Sequence, residues 1–403
     1  MIRRAFLTAT LVLALAACAP TTTPPPTQAT DKLVLQPTTF SSLTAWSAAD
    51  MRKAYDAFTA SCAKLVQRAD TDRFGGSEDY GTVADWKPAC TAALNSSDMT
   101  EAGARGFFDR FFTPARATNS GNEIGLFTGY YEPELNGSRK RKGRFQTPLL
   151  ARPDDLVMVD LGAFRDNLKG ERIAGRVEGA KLVPYARRGD IVAGGRGPRA
   201  KPLVYVDDPV DAFFLQVQGS GRVKLADGSI IRVGYDGQNG YPYTGIGRLL
   251  VDRGAIPKGQ LSMQSIRAWL DAHPGEARAL MDENASYVFF KELPITDPNQ
   301  GAPGSAGVPL TAEASLAVDT RFHGLGAPIW IEAHAPADDE TKPDVDFNRL
   351  VIAQDTGGAI RGPVRGDVYW GAGKTAESVA GRMAHKGKLY VLLPKAVAAK
   401  LKP

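Results

Sequence analysis

Glycine and proline divide most of this chain into short segments, and this punctuation limits the folds that the chain can adopt. The sequence of 403 residues contains 42 glycines and 27 prolines. After Phe112 these residues separate short runs that are rich in β-branched and aromatic side chains, a pattern typical of β-strands. Many short strands predict a barrel. The clearest predicted strands are residues 125–131, 202–206, 213–218, 230–233, 287–291, 315–318, 328–332, 350–353, 367–370 and 388–393.

The segment before Phe112 has a helical pattern instead. Apolar residues recur there with the spacing of one helical face, in a first group from Met51 to Leu65, a second from Trp86 to Leu94 and a third from Phe107 to Phe112. A further helical interlude is predicted over residues 262–269 and 276–282. We therefore expect a mainly β protein with flanking helices, of the α+β class.

The N-terminus predicts secretion and a lipid anchor. A basic head precedes an apolar run over residues 5–17, which is too short to span a membrane as a mature helix. Leu15-Ala16-Ala17-Cys18 resembles the lipobox of bacterial lipoproteins, which implies acylation of Cys18. The alternative is an ordinary signal peptide that is cleaved at an Ala-x-Ala-like site. We expect a signal peptide over residues 1–17 and a lipid-anchored flexible linker over residues 18–30.

Ala19, rather than aspartate, follows Cys18. By resemblance to lipoprotein sorting, this favours a periplasmic protein anchored to the inner leaflet of the outer membrane of a Gram-negative bacterium. In that oxidising compartment the two other cysteines, Cys62 and Cys90, predict a disulfide, and two buried free thiols are the alternative.

Composition argues against several functional classes. The net charge is only +5, and no basic stripe is interleaved with stacking aromatics, so nucleic-acid binding is not expected. A mild positive excess weakly favours an acidic polymer of the cell envelope as a partner. The four histidines lack a second histidine or a cysteine at ligand spacing, so no metal is expected, and no cofactor is predicted.

Two glycine-flanked acids, Asp355 and Asp367, are the candidate chemical groups. Each adjoins an apolar run, and each lies among glycines that allow a ligand to approach the backbone closely. Apolar neighbours raise the pKa of a carboxyl group toward neutrality, which is how a general acid is made. The alternative is that both acids are turn residues, because aspartate beside glycine is common in turns.

A set of motifs in a fixed order extends this interpretation. They are Thr128-Gly129-Tyr130-Tyr131-Glu132-Pro133, Val217-Gln218-Gly219-Ser220-Gly221, Asp227-Gly228-Ser229, Val288-Phe289-Phe290-Lys291, Ala317-Val318-Asp319 and the segments around Asp355 and Asp367. In this order they resemble the membrane-bound lytic murein transglycosylase A family, over residues from about 126 to 393.

The resemblance implies two domains with a groove between them. The first, a double-psi β-barrel also called the three-aspartate (3D) domain, would comprise residues 31–134 and 294–403 together with the N-terminal helices. An inserted, smaller substrate-binding β-barrel would comprise residues 135–293. The three matching aspartates are Asp319, Asp355 and Asp367. By position in the motif, Asp367 corresponds to the catalytic acid and base, and Asp355 to a second acid that lines the site.

The implied activity is that of a lyase, a lytic transglycosylase acting on peptidoglycan glycan strands. It would cleave the β-1,4 bond between N-acetylmuramic acid and N-acetylglucosamine and leave a 1,6-anhydro end. Complexes with other cell-wall enzymes are an expected kind of partnership. The resemblance implies that the residues lining the groove include Thr128, Gly129, Tyr130, Gln218, Ser220 and Lys291; Glu132 receives no catalytic role.

The chemistry of such a substrate also supports a mechanism with a single catalytic acid. The substrate's own C6 hydroxyl is the nucleophile, so one carboxyl group can donate a proton and then accept one. The nearest alternative is a lysozyme-like hydrolase that uses Asp355 and Asp367 together, and another is a non-catalytic wall-binding lipoprotein. Asp355-Thr356-Gly357 also matches the aspartic-peptidase motif, but the chain has no second copy of that motif.

Overall fold

The computed structural model describes residues 31–96, 99–168, 171–194, 199–295, 297 and 300–401. The chain from Lys32 onward clusters as one compact unit. The predicted signal peptide and the whole of the predicted linker, which includes Cys18, lie outside the described residues. Within the ranges described, none of the helices has the length and apolar character needed to cross a bilayer.

The described residues form a mainly β structure with helices around it. In chain order the strands are β1 (Leu33–Pro37), β2 (Phe112–Asn119), β3 (Gly125–Glu132), β4 (Glu134–Ser138), β5 (Thr147–Leu150), β6 (Val157–Asp160), β7 (Arg172–Glu178), β8 (Lys181–Pro184), β9 (Pro202–Val206), β10 (Ser220–Leu225), β11 (Ile230–Gln238), β12 (Val288–Leu293), β13 (Ser315–Val318), β14 (Pro328–Ala335), β15 (Val345–Asp355), β16 (Arg365–Ala372) and β17 (Ala384–Pro394). The helices are α1 (Arg52–Leu65), α2 (Val83–Leu94), α3 (Glu101–Phe111), α4 (Arg188–Val192), α5 (Pro209–Gln218), α6 (Ile246–Asp252), α7 (Met263–Ala272), α8 (Pro274–Glu283), α9 (Lys374–Arg382) and α10 (Lys395–Ala398).

An eight-stranded sheet closes on itself into a barrel. Its order is β1-β2-β17-β14-β15-β13-β16-β3, and β17 also pairs with β3. The long strand β17 makes this closure, because residues 384–387 pair with β3 and residues 388–391 pair with β14. The closed ring therefore consists of β17, β14, β15, β13, β16 and β3, and a barrel of this kind leaves no exposed edge between its strands.

Alternating apolar residues fill the barrel. Phe127, Leu316, Ile329, Val351 and Val368 are fully buried, come from different strands of the ring and share its inner face by register. Each strand buries the side chains that point inward, as expected for strands with one face against a core. The expected α+β class with a closed barrel is confirmed.

The predicted N-terminal helices are α1, α2 and α3, which pack against this barrel. Aromatic side chains of α1 and α3 meet edge-on, as in the contact between Tyr55 and Phe107 with ring centroids 5.1 Å apart. A disulfide joins Cys62 of α1 to Cys90 of α2. The helical layer is thus linked covalently within itself and packed against the barrel core.

A second sheet of six strands has the order β12-β11-β10-β4-β9-β5. An isolated bridge between Ala151 and Phe290 connects its two edges, next to β5 and within β12. Helices α5 to α8 accompany this sheet, and a separate three-stranded sheet of β6, β7 and β8 follows the order 6-7-8. The chain passes from the first sheet to the second at Pro133 and leaves the second sheet after Leu293.

The prediction of a strand over residues 213–218 is wrong, because this segment belongs to helix α5. The side chain of Asp208 caps the helix by accepting a hydrogen bond from the backbone N–H of Val210, Pro209 occupies the first turn, and Gly219 ends the helix with φ of 85°. Apolar side chains on most sides of α5 are buried, so its sequence has no polar face to display the helical period.

Candidate active site

Asp367 lies in the middle of the barrel wall, on strand β16. Its neighbours in register are Ala317 of β13 on one side and Thr128 of β3 on the other. As a residue Asp367 is half-buried, whereas the next residue, Val368, is fully buried in the barrel core. Strand alternation therefore holds Asp367 on the outer face of the wall while its neighbour fixes the strand.

Two polar side chains adjoin the Asp367 carboxyl group. Thr128 Oγ1 donates a hydrogen bond to Asp367 Oδ1 at 2.5 Å, and Arg365 Nη2 donates to Thr128 Oγ1 at 2.8 Å. Burial raises the pKa of Asp367; the charge of Arg365 and the hydrogen bond from Thr128 oppose this effect, and the charge of Asp355 adds to it. The net result is a pKa above the ordinary value, as a general acid requires.

Asp355 ends strand β15 and is held by several donors. Its Oδ2 accepts a hydrogen bond from the Tyr130 hydroxyl at 3.0 Å. Its Oδ1 accepts from the backbone N–H and hydroxyl of Ser305, at 3.0 and 2.7 Å, and from the backbone N–H of Thr356 at 2.9 Å. These donors fix the orientation of the Asp355 carboxyl group in the site.

Gln354, directly before Asp355, anchors this strand end to the helical layer. Its buried Nε2 donates to the carbonyl of Ala57 at 2.8 Å and to the Ser61 hydroxyl at 2.9 Å, both on α1. Ser315 of β13 donates to the side-chain oxygen of Gln354 at 2.5 Å. The buried amide is therefore satisfied on both sides, and it fixes the strand from which Asp355 projects.

Asp319, the third aspartate of the motif, has a different environment. Its side chain is only 2% exposed and forms an ion pair with Arg321, with Nη2 and Oδ2 2.6 Å apart. It also accepts a hydrogen bond from the backbone N–H of Gly362 at 2.8 Å. This contact ties β13 to the connection between Asp355 and Asp367, so the side chain shapes the loop of the site.

Tyr130 and Gly129 lie on β3 and serve mainly to pack the barrel wall. Tyr130 is only 8% exposed, and its ring centroid lies 5.3 Å from that of Tyr369. Burial, with the nearby charges of Asp355 and Asp367, raises the pKa of Tyr130 well above its ordinary value, so its hydroxyl stays a donor to Asp355. A Cβ on Gly129 would lie 2.7 Å from the Trp370 ring, so this glycine allows close packing against α9 and β16.

The remaining predicted binding residues lie on the second sheet or next to it. Gln218 ends α5 and accepts a hydrogen bond from the backbone N–H of Tyr131 at 3.1 Å. Ser220 begins β10 and is in register with Gly234 of β11, which is in register with Lys291 of β12. Ser220 and Lys291 therefore share one row and one face of the sheet. Lys291 Nζ lies 3.4 Å from Asp236 Oδ1.

A buried ion cluster joins the two sheets. Glu132, at the end of β3, is fully buried, and its carboxylate contacts Arg222 Nε at 3.0 Å and Arg232 Nε at 2.7 Å. Both guanidinium groups also donate to the carbonyl of Gln300. The strand that carries Thr128 is thus fastened to β10 and β11 a few residues farther along.

The sequence compares closely with known proteins. It matches the MltA specific insert domain over residues 126–291 and the 3D domain over residues 314–393. Membrane-bound lytic murein transglycosylase A of Escherichia coli (strain K12) is 35% identical over 281 residues, which cover 68% of this chain and 67% of that protein. Membrane-bound lytic murein transglycosylase A of Vibrio cholerae serotype O1 is 30% identical over 300 residues, which cover 73% of this chain and 73% of that protein.

The chain belongs to the membrane-bound lytic murein transglycosylase A family. Solved structures of the family agree. A membrane-bound lytic murein transglycosylase from Agrobacterium tumefaciens is 32% identical and has a TM-score of 0.79, over 91% of this chain and 99% of that one. MltA from Neisseria gonorrhoeae is 35% identical, with a TM-score of 0.71 over 90% and 93% of the two chains. The protein is a lytic transglycosylase of peptidoglycan, and the comparisons do not favour the hydrolase or the non-catalytic binder.

Three features of this lytic transglycosylase site were not identified from the sequence. Arg365 precedes Asp367 by two positions, so strand alternation puts both side chains on one face, and that signal was available. Ser305 contacts Asp355 from a loop that is distant in sequence. Arg222 and Arg232 converge on Glu132 only because β10 and β11 pair.

Within the described ranges, no group of three or more histidine, cysteine, aspartate or glutamate side chains is arranged to hold a metal ion.

Proposed function

We propose that Asp367 is the sole acid and base of the transglycosylase reaction. The observation that carries this proposal is the raised pKa of Asp367, whose carboxyl group accepts a hydrogen bond from Thr128, near an Asp355 that accepts more hydrogen bonds. The two carboxyl groups have different environments, and hence we assign them different roles.

In the first step, protonated Asp367 donates its proton to the oxygen that joins N-acetylmuramic acid to N-acetylglucosamine. The bond from that oxygen to C1 of N-acetylmuramic acid breaks, and N-acetylglucosamine leaves with a new 4-hydroxyl group. The Asp367 carboxylate then accepts the proton of the C6 hydroxyl as O6 bonds to C1. The product is a 1,6-anhydro ring, no water is consumed, and Asp367 returns to its protonated form.

In this proposal Asp355 is the second acid of the site. Its charge raises the pKa of Asp367. In the reaction it would stabilise the positive charge that develops at C1 of N-acetylmuramic acid. Tyr130 orients it from the barrel wall through the bond to Oδ2. Asp355 thus supports the proton transfer without exchanging a proton itself.

We further propose that residues 135–293 form an inserted substrate-binding domain and that the glycan lies between it and the barrel. Gln218, Ser220 and Lys291 would contact N-acetyl or hydroxyl groups, while Thr128, Gly129 and Tyr130 form the opposite wall. The row from Ser220 to Lys291 supports this arrangement, because Arg222 and Arg232 on the same face reach the end of β3. A relative from Escherichia coli, 26% identical with a TM-score of 0.60 over 90% of this chain and 91% of that one, was solved with bound chitohexaose.

We propose a periplasmic location for the protein, with the acylated Cys18 as its membrane anchor in the outer membrane. The names of its relatives describe them as membrane-bound. The lipobox-like sequence before Cys18 supports the anchor, and alanine at the next position supports the choice of the outer membrane. Labelling with a radioactive fatty acid, with Cys18→Ala as the comparison, tests the anchor; equal labelling of both proteins would rule it out.

The reaction is tested by replacing Asp367 with asparagine and digesting purified sacculi. We expect Asp367→Asn to bind glycan strands and to release no soluble muropeptides, while Asp346→Asn, a change at a carboxylate 78% exposed on β15, retains activity. The wild-type products should be anhydro muropeptides by mass spectrometry. Products heavier by one water would support the hydrolase instead, and an active Asp367→Asn enzyme would remove Asp367 from the mechanism.

A further inference from the structure

The contact between Arg365 and Thr128 constrains where the hydrogen of the threonine hydroxyl lies. Arg365 Nη2 and Asp367 Oδ1 both lie within hydrogen-bond distance of Thr128 Oγ1, at 2.8 and 2.5 Å. A guanidinium group has donors and no acceptor, so Thr128 Oγ1 must accept from Arg365. Its single hydrogen is then free to point to Asp367 Oδ1.

This direction fixes the role of one carboxyl oxygen. Because Thr128 donates to Oδ1, that oxygen acts as an acceptor whether Asp367 is charged or neutral. A proton on Oδ1 would oppose the threonine hydrogen across 2.5 Å. The other oxygen, Oδ2, is engaged by no hydrogen bond among those of the described residues. The exchangeable proton of the acid therefore has its place on Oδ2.

We propose that Arg365 is a positioning residue that acts through Thr128 to confine the exchangeable proton of Asp367 to Oδ2. The inference rests on the proposed role of Asp367 and adds to it the atom that exchanges the proton with the sugar. Arg365 acts through Thr128, since no hydrogen bond among those of the described residues joins it directly to Asp367.

The backbone holds Arg365 in this place. Its Nη1 donates to the carbonyl of Leu126 on β3, at 3.3 Å, and to the carbonyl of Gly366 on β16. The guanidinium group thus spans the two parallel strands that bring Thr128 and Asp367 into register. Without it, the Thr128 hydroxyl can rotate and accept a proton from Oδ1, so part of the acid population carries its proton on an oxygen that the wall occupies.

Few charged or titratable groups face Asp367. Arg365 is on the same strand, Tyr130 comes from β3, and Asp355 comes from β15. Strand β13, between β15 and β16, places the apolar Ala317 at this register position. A change of pH dependence on replacing Arg365 is therefore separable from the effects of the two other groups, which stay in place.

The test is a double-mutant cycle on Arg365 and Thr128, read from kcat/KM against pH with soluble glycan fragments. Arg365→Met should lower the plateau that kcat/KM reaches at low pH. It should also move the alkaline limb, the fall of kcat/KM as pH rises, to higher pH, because loss of the cation favours protonated Asp367. Thr128→Val should lower the plateau about 10-fold or more, because the lost hydrogen bond strengthens as Asp367 gives up its proton and becomes charged. In the Thr128→Val background, Arg365→Met should leave the plateau nearly unchanged and still move the limb.

Thr128→Ser should restore most of the plateau, because it restores the hydroxyl group, and Arg365→Lys should leave the limb near its wild-type position. Thermal unfolding of every variant identifies any that fails to fold, and the serine and lysine variants then carry the test. Additive plateau losses would overturn the inference, because they would show that Arg365 does not act through Thr128. An active Asp367→Asn enzyme would instead overturn the proposed function, so the two failures are distinguishable.

Discussion

Asp355 and Asp367 lie in register with the same residue, Ala317, from opposite sides of strand β13. The pairing to β15 is parallel and the pairing to β16 is antiparallel. Two carboxyl groups are thereby held on strands that flank one small side chain, and the charge of Asp355 raises the pKa of Asp367. The pairing of β15 and β16 with the same strand therefore holds the two acids in positions where the charge of one affects the pKa of the other.

Replacing Asp355 with asparagine should move the pH dependence of activity in a defined direction. The general acid works when protonated, so activity falls as pH rises through the raised pKa of Asp367. Removing the negative charge of Asp355 lowers that pKa, so the alkaline limb of kcat/KM should move to lower pH. The measurement is a pH profile with soluble glycan fragments.

Asp346→Asn is the matched control, since Asp346 lies on the same strand and is exposed. Its limb should coincide with that of the wild type. A limb that moves upward in Asp355→Asn would contradict the coupling between the two acids.

Replacing Glu132 with glutamine should strongly destabilise the protein. Glu132 is fully buried between Arg222 and Arg232, and the change leaves buried cations without their counter-charge. Removing one partner of a buried ion cluster costs about 3–5 kcal/mol in the free energy of unfolding. Denaturant titration followed by circular dichroism measures this loss.

The exposed pair of Arg139 and Glu292 on the second sheet provides the comparison. Its side chains are 46% and 40% exposed, so Glu292→Gln should cost less than about 1 kcal/mol. Similar losses for the two variants would mean that the buried cluster does not fasten the sheets.

Removing the disulfide between α1 and α2 should destabilise the helical layer. Cys62 and Cys90 are separated by 28 positions. On the chain-entropy model, a loop of this length contributes about 3–4 kcal/mol. The double variant Cys62→Ala/Cys90→Ala should lose that amount in denaturant titration, and a reducing agent should have the same effect on the wild type.

The double variant itself is the control for the reducing agent, which should leave its stability unchanged. A wild-type protein that is equally stable with and without reductant would contradict the expected contribution of the cross-link.

Replacing Asp319 with asparagine should destabilise the protein in a pH-dependent way. Burial acts to raise the pKa of Asp319, but hydrogen bonds from Arg321 and Gly362 outweigh it and lower the pKa below its ordinary value. A lowered folded-state pKa adds stability that is present above the unfolded-state pKa and lost as pH falls through the folded-state value. The difference in unfolding free energy between wild type and variant should therefore be large near pH 7 and shrink on acidification.

Asp346→Asn again serves for comparison, with little change in unfolding free energy at either pH. A difference for Asp319→Asn that stays constant down to about pH 3 would show that Asp319 contributes no pH-linked stability.

The correct predictions from sequence share a physical basis. Glycine-bounded apolar runs predicted β3 and β16, and helical spacing predicted α1 and α3, because each pattern reflects which face of a local element is buried. Contiguous motifs also placed Thr128 and Asp367 among the candidates, and the structure brings them into register. Helix α5 was missed because a helix buried on most sides has no periodic polar face.

By itself, the sequence determined the local elements and supplied the candidate acids, since both follow from the order of neighbouring residues. Only the tertiary structure decided that Asp355 and Asp367 flank Ala317, that Arg365 reaches Thr128, and that Ser305 holds Asp355. These contacts join distant segments through strand register and barrel closure. Register is set by the packing of the whole barrel, so no single segment of the sequence contains it.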